Sequence, residues 1–71
     1  MRLSRRERAV LKAIAEGART WGQVRRIVEE RLGETIPKSS LTRIINKLES
    51  LSIIKDYEFL DNVYRDAAQR L

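Results

Sequence analysis

Apolar residues recur at helical spacing in two successive stretches near the N-terminus, and each stretch is bounded by helix start and stop signals. In each start signal, a hydroxyl side chain is followed three residues later by Glu or Gln, which is the pattern of a capping box. The capping pairs are Ser4 with Glu7 and Thr20 with Gln23, and the stop residues are Gly17 and Gly33. These signals predict helices over about 5–16 and 21–32.

A third amphipathic stretch follows Pro37, which a first helical turn tolerates because its missing N–H has no helical partner there. It predicts a helix over about 37–51. The predicted buried stripe is Leu41, Ile44, Ile45, Leu48 and Leu51. The opposite face carries polar and basic side chains, and Glu49 is the first acid to occur on it.

After residue 51 the pattern changes to β-branched and aromatic residues, which predicts a hairpin over about 53–60. Its strands are expected at 53–54 and 57–60, with a tight turn near Lys55 and Asp56. Asp61 is a suitable N-cap for a last helix over about 62–71. Three helices, a hairpin and a helix make a mainly α fold with a small β-hairpin, and this order predicts a winged helix-turn-helix in a single domain spanning 1–71.

Charge favours a polyanionic partner, since the net charge is +5 and the estimated pI is about 10.2. It is also unevenly distributed. Residues 1–33 hold nine Lys and Arg against four acids, whereas residues 56–71 hold two against four. The tail is therefore expected to face away from a nucleic acid.

Composition argues against catalysis, because the 71 residues include neither histidine nor cysteine. These are the commonest general base, thiol nucleophile and metal ligands. No apolar run reaches the ~18 residues of a membrane span, and Met1–Arg6 lacks the apolar stretch of a signal peptide. We expect no enzyme activity, no cofactor, no metal site, no membrane contact and a cytoplasmic location.

The third helix is the predicted reader of duplex DNA, because an α-helix fits the major groove and presents its exposed side chains to base edges. Arg43 could bind guanine, and Asn46 could bind adenine. Lys38 and Lys47 are better suited to phosphate. The full predicted set on this helix is Lys38, Ser39, Ser40, Thr42, Arg43, Asn46 and Lys47.

Arginines outside the third helix are predicted to add backbone contacts. Arg5 and Arg6 lie in the first turn of the first helix, where cations oppose the helix dipole. They could contact phosphate, an acidic partner, or only solvent. Arg19, in a loop, is also a candidate for phosphate. Arg25 and Arg26 are instead expected to pair with Glu29 and Glu30 one turn later. Trp21 is expected in the core or at its edge.

The hairpin tip is acidic, so we expect the wing to contribute little to DNA binding. The last helix has an apolar stripe that could cover the core or pack on another subunit or domain. Its residues are Val63, Tyr64, Ala67 and Leu71. The alternative function is therefore a protein-interaction or dimerisation module that docks on another domain or a second copy without binding DNA.

Three segments of the chain resemble the winged-helix domain that follows the nucleotide-binding domain in archaeal P-loop ATPases. They are Val10–Trp21, Ile36–Arg43 with Leu48–Leu51, and Tyr57–Arg65, in which Asn62 stands where that family usually has Pro. The resemblance implies a winged-helix fold and a DNA-binding or regulatory role, such as transcription regulation, beside an ATPase. It also makes an ATPase domain a candidate partner of the last helix. It brings no catalytic residues, because no Gly-x-x-x-x-Gly-Lys-Ser/Thr segment occurs in the chain.

Overall fold

A computed structural model describes residues 3–70 and confirms the predicted order of elements. The helices are α1 (Arg5–Ala15), α2 (Trp21–Leu32), α3 (Lys38–Ser50) and α4 (Asn62–Gln69), and the strands are β1 (Ile54–Lys55) and β2 (Glu58–Phe59). The strands pair antiparallel in a two-stranded sheet. Leu71, predicted in the last helix and on its partner surface, lies outside the described residues. Among residues 3–70, no helix combines the length and apolarity needed to cross a bilayer.

The predicted cap of α1 is confirmed as a complete capping box. The Glu7 N–H donates to Ser4 Oγ at 3.1 Å, and the Ser4 N–H donates to Glu7 Oε1 at 2.8 Å. At α2, the Gln23 N–H donates to Thr20 Oγ1, but Gln23 Oε1 accepts from the N–H of Arg19 instead of Thr20. The second predicted capping box is therefore incomplete, because the Gln23 side chain accepts from the residue before the N-cap.

Helix α1 lies at the centre of the fold and packs against α2, α3, α4 and β2. The core is aliphatic, as the small number of aromatic residues predicts. Its largest fully buried side chains are Val10, Ile14, Val24, Val28, Ile36, Leu41, Leu48 and Ile54. Trp21 is half-buried against this core, as predicted, and the Arg25 guanidinium lies 5.5 Å from its ring centroid. Arg25 Nε also pairs with Glu29 at 3.4 Å, again as predicted, whereas the pairing predicted for Arg26 is not among the ion pairs of residues 3–70.

The end of α3 corrects the predicted hairpin. Ser52 adopts a left-handed backbone with φ of 60°, its N–H donates to Glu49 O, and the Ile53 N–H donates to Leu48 O. This is a Schellman motif, built on a residue other than the usual glycine. Because this motif uses the N–H of Ile53 to cap α3, the first strand begins at Ile54 and not at residue 53.

The turn of the hairpin also lies one residue later than predicted. Ile54 pairs with Phe59, and Lys55 pairs with Glu58. Asp56 and Tyr57 form the two-residue connection, and both have positive φ, 52° and 62°. Two positive φ values are the signature of a type I′ turn, whose twist matches that of the paired strands. The second strand is therefore shorter than the predicted 57–60.

Leu51 was predicted in the buried stripe of α3, and that prediction is wrong. It is 44% exposed, because it is the C-cap residue and the chain turns away at Ser52 immediately after it. Ile44 is half-buried, while Leu41, Ile45 and Leu48 are buried as expected. In α4, capped by Asp61 Oδ1 accepting from the Val63 N–H, only Ala68 is buried.

Candidate nucleic-acid interface

Five of the predicted DNA-contacting residues meet on one face of α3. Lys38, Ser39, Thr42, Arg43 and Asn46 line a single shallow, open depression on the protein surface. All five are exposed. They lie within about two and a half turns and follow one another at intervals of one or three residues, which keeps them on one side of the helix. The buried stripe on the other side fixes this face outward.

Two other predicted residues of α3 do not line this depression. Ser40 is half-buried beside the core residue Leu41. Lys47 extends toward α1, where its Nζ lies 2.8 Å from Glu7 Oε2, although the Lys47 side chain is still 57% exposed. Because the Glu7 carboxylate partly neutralises this ammonium, Lys47 attracts a phosphate less strongly than an unpaired lysine would.

Glu7 is the acid that holds Lys47, and its carboxylate is almost fully buried at 8% exposure. One oxygen accepts from the Ser4 N–H, and the other from Lys47. The hydrogen bond from Lys47 lowers the pKa of Glu7 most, and that from the Ser4 backbone adds to this, while burial opposes both. The sequence indicated Glu7 as a cap residue, but nothing in the pattern indicated its second partner on α3.

The N-terminus of α3 has no capping side chain. Pro37 is the N-cap residue, and it makes no side-chain hydrogen bond to the helix. The first amides of a helix have no intrahelical acceptor, and they carry the positive end of the helix dipole. Lys38 and Ser39 begin the helix at this point. The same end of α3 therefore presents backbone donors and a basic side chain together.

Arg19 is held by the protein itself. Its Nη1 donates to the carbonyl oxygens of Ile14, Ala18 and Tyr57 at 3.1, 2.9 and 3.1 Å. The residue joins the end of α1 to the tip of the hairpin. A guanidinium has five N–H donors, so these bonds leave others for a ligand. The phosphate contact predicted for Arg19 stays a prediction.

The two predicted residues of α1 have different surroundings. Arg6 is half-buried, and its Nε donates to Glu34 Oε1 at 3.2 Å. Arg5 is exposed and lines a separate groove between α1 and α2. Neither residue lines the depression on α3. Their predicted contacts with the DNA backbone remain predictions.

The wing is short and tied back to the body of the domain. Its connection consists of Asp56 and Tyr57 alone. The Asp56 N–H is 3.4 Å from Glu49 Oε2 on α3, and the Tyr57 carbonyl accepts from Arg19. The small contribution to DNA binding that the sequence predicts for the wing stays a prediction.

A search of the curated proteins finds no match, and neither does a search of the solved structures. A protein family does match: residues 3–67 correspond to the family described as the MCM protein C-terminal winged helix-turn-helix domain. MCM proteins are P-loop ATPases of archaea and eukaryotes, which agrees with the resemblance read from the sequence. Since this match spans nearly all 71 residues, the chain belongs to the family of MCM C-terminal winged helix-turn-helix domains.

Proposed function

We propose that this domain binds duplex DNA by inserting the exposed face of α3 into the major groove. One observation carries the proposal: five polar or basic side chains, none of them acidic, are exposed together on that face. A solvated helix face usually mixes acids with bases, whereas a face that meets a polyanion gains from excluding acids. The face spans the N-terminal two-thirds of α3, where recognition helices meet base edges.

The side chains divide into two roles in this proposal. Arg43 has the planar fork that binds guanine through two hydrogen bonds, and Asn46 can bind adenine in the same way. Ser39 and Thr42 offer short hydroxyl contacts to bases or phosphates. Lys38, together with the uncapped amides of the first turn, suits a phosphate, because an anion there interacts favourably with the helix dipole. These contacts would fix the register of α3 on the duplex.

Lys47 has a smaller part in binding than its sequence position suggests, because Glu7 already compensates its charge. Ser40 is half-buried and has less surface to offer. We propose that the working set is Lys38, Ser39, Thr42, Arg43 and Asn46. Arg5, Arg6 and Arg19 would be auxiliary contacts at most.

The biological setting follows from the family. MCM proteins are replication factors, so a role in replication is better supported than the transcription regulation expected from the sequence. We propose that the domain works as a non-catalytic DNA-binding part of an ATPase assembly. Its lack of a phosphate-binding Gly-x-x-x-x-Gly-Lys-Ser/Thr segment supports this, since that segment cradles the nucleotide phosphates in such ATPases.

The test is a fluorescence anisotropy titration of a mixed-sequence duplex over a salt series that starts at ~50 mM. We expect the affinity to fall steeply with salt, with a log–log slope of roughly −0.9 for each phosphate contact. Arg43→Gln should weaken binding about tenfold, the lower part of the range for a two-bond base contact. Arg26→Gln is the matched control, because Arg26 is an exposed arginine of α2 outside the α3 face.

Two results would contradict the proposal. One is the lack of any binding to the duplex at ~50 mM salt, where electrostatic attraction is strongest. The other is an equal loss of affinity in Arg43→Gln and Arg26→Gln. That outcome would mean that the duplex responds to net charge and not to the α3 face.

Exposed apolar side chains in the C-terminal third favour a second candidate function, docking on another protein. The exposed large hydrophobics of the described residues are Leu51, Leu60, Val63 and Tyr64, at 44, 56, 72 and 46%. Exposed apolar side chains that cluster on a surface often mark an interface, and Leu60, Val63 and Tyr64 lie within five residues of one another in the chain. Sedimentation velocity over a concentration series tests the dimeric form of this idea. A concentration-dependent dimer that Val63→Glu abolishes would support it, and a monomer at every concentration would contradict it.

A further inference from the structure

A second basic surface lies on the side of α1 turned away from α3. Arg5, Arg8 and Lys12 recur at intervals of three and four residues, so they share one face of the helix. Glu7, whose carboxylate reaches Lys47 on α3, lies about 140° around the helix axis from Lys12, at about 100° per residue. This face therefore points away from the side of α1 that contacts α3.

This surface is a groove and not a flat patch. It runs between α1 and the end of α2, with a volume of about 250 Å³. Arg5, Arg8 and Lys12 form one side, and Arg31 lies on the other. Its remaining lining is apolar, from the buried Ala9 and the half-buried Leu32. The groove therefore combines cationic walls with room for one apolar side chain between them.

The four cations of the groove differ in how they are compensated. Arg31 Nη2 lies 2.6 Å from Glu16 Oε1, and Lys12 Nζ donates to the Gln69 carbonyl. Within residues 3–70, no carboxylate pairs with Arg5 or Arg8. Both lie in or next to the first turn of α1, where a cation opposes the helix dipole. Binding an external anion would turn this unfavourable arrangement into a favourable one.

We propose that this groove binds an acidic amphipathic segment of a partner protein. An apolar side chain of the segment would pack on Leu32 and Ala9, and its carboxylates would pair with Arg5 and Arg8. The apolar floor favours a peptide over a second nucleic acid, because a phosphodiester backbone would neutralise the walls but leave the floor uncovered. The separation from α3 lets the domain hold DNA and this partner at once.

The probe for this site is a fluorescein-labelled synthetic peptide with Leu at every fourth position and Glu between. We expect saturable binding that is the same with and without saturating duplex DNA. The double variant Arg5→Gln with Arg8→Gln should weaken peptide binding about tenfold, the sum of two partly exposed ion pairs. The matched control is Arg26→Gln with Lys55→Gln, which removes two exposed charges outside the groove and should stay within about twofold.

Changes to the peptide test the cationic walls and the apolar floor of the groove without altering the protein. Replacing its Glu residues by Gln should abolish binding, and replacing its Leu residues by Ser should weaken it. The lack of saturable binding to the Glu–Leu peptide would overturn the proposal, as would an equal loss in the two double variants. Displacement of the peptide by duplex DNA would also overturn the proposal, because it would place the peptide-binding site on α3. Loss of duplex affinity in the Arg5 and Arg8 variant, with peptide binding unchanged, would make the groove a nucleic-acid contact.

Discussion

At the scale of single residues, Glu7 has two structural roles, of which the sequence predicted only the first. Its backbone N–H and one carboxylate oxygen complete the cap of α1, and its other oxygen holds Lys47 of α3. A buried carboxylate is tolerated only when its hydrogen-bonding capacity is used. Glu7 therefore connects the start of α1 to α3, so protonation of its carboxylate should weaken the attachment of both helices.

Replacing Glu7 by Gln should destabilise the fold at neutral pH and matter less in acid. The pKa of Glu7 is lowered in the folded state below 4.5. A lowered folded pKa means that the stabilisation is complete above the unfolded pKa and is lost as pH falls through the folded value. We expect Glu7→Gln to cost about 1 kcal/mol at pH 7, less than the ~1.5–3 kcal/mol of a charge-assisted bond, because the Lys47 side chain is 57% exposed. The measurement is urea unfolding of both proteins as a function of pH.

Glu34→Gln is the control for this experiment. Glu34 pairs with Arg6 at 3.2 Å, but both side chains are more than 40% exposed, at 45% and 41%. Exposed pairs contribute little to stability, so this variant should follow the wild type at every pH. If Glu7→Gln and wild type differ by the same amount at pH 7 and in strong acid, the buried ion pair does not carry the stability assigned to it.

At the scale of elements, the sequence predicted most accurately the helix ends, which local signals determine. Capping residues and stop glycines act within a few positions of a helix end, so the predicted bounds of all four helices lie within one or two residues of those observed over 3–70. The hairpin was predicted one residue out of place. A serine at the left-handed position extends the helix cap to Ile53, and serine, unlike glycine, gives no strong signal of that conformation.

The candidate site was predictable to the extent that it follows helical periodicity. Periodicity brings Lys38, Ser39, Thr42, Arg43 and Asn46 to one face, and the structure gathers them there. The partner of Lys47 was not predictable in this way. Glu7 lies forty positions earlier in the chain, so their contact depends on how α1 crosses α3. Only tertiary packing could distinguish a lysine available to phosphate from one held by a buried carboxylate.

At the scale of the whole molecule, charge and apolar surface are segregated along the chain. Residues 1–55 carry thirteen Lys and Arg against six acids, and residues 56–71 carry two against four. The exposed large hydrophobics of the described chain lie between 51 and 64. The basic residues of α3 and of the groove between α1 and α2 thus precede the exposed apolar residues of the C-terminal third in the chain, and Lys12 joins the two parts through its bond to the Gln69 carbonyl. This arrangement suits a module that contacts several components of an assembly at once.

Arg19 connects the end of α1 to the hairpin. An experiment can distinguish this structural role from the predicted phosphate contact. The Nη1 group bonds carbonyls at the end of α1 and at the hairpin tip. Arg19→Lys keeps the charge but loses the planar fork that reaches these oxygens. If the tether is the main role, Arg19→Lys and Arg19→Met should both lower Tm by a few degrees, equivalent to about 0.5–1 kcal/mol. Amide exchange should also become faster at Leu60, whose N–H donates to the Ile53 carbonyl across the hairpin.

A phosphate-binding role for Arg19 predicts the reverse. In that case Tm is unchanged in both variants, and DNA affinity is retained by Arg19→Lys and lost by Arg19→Met.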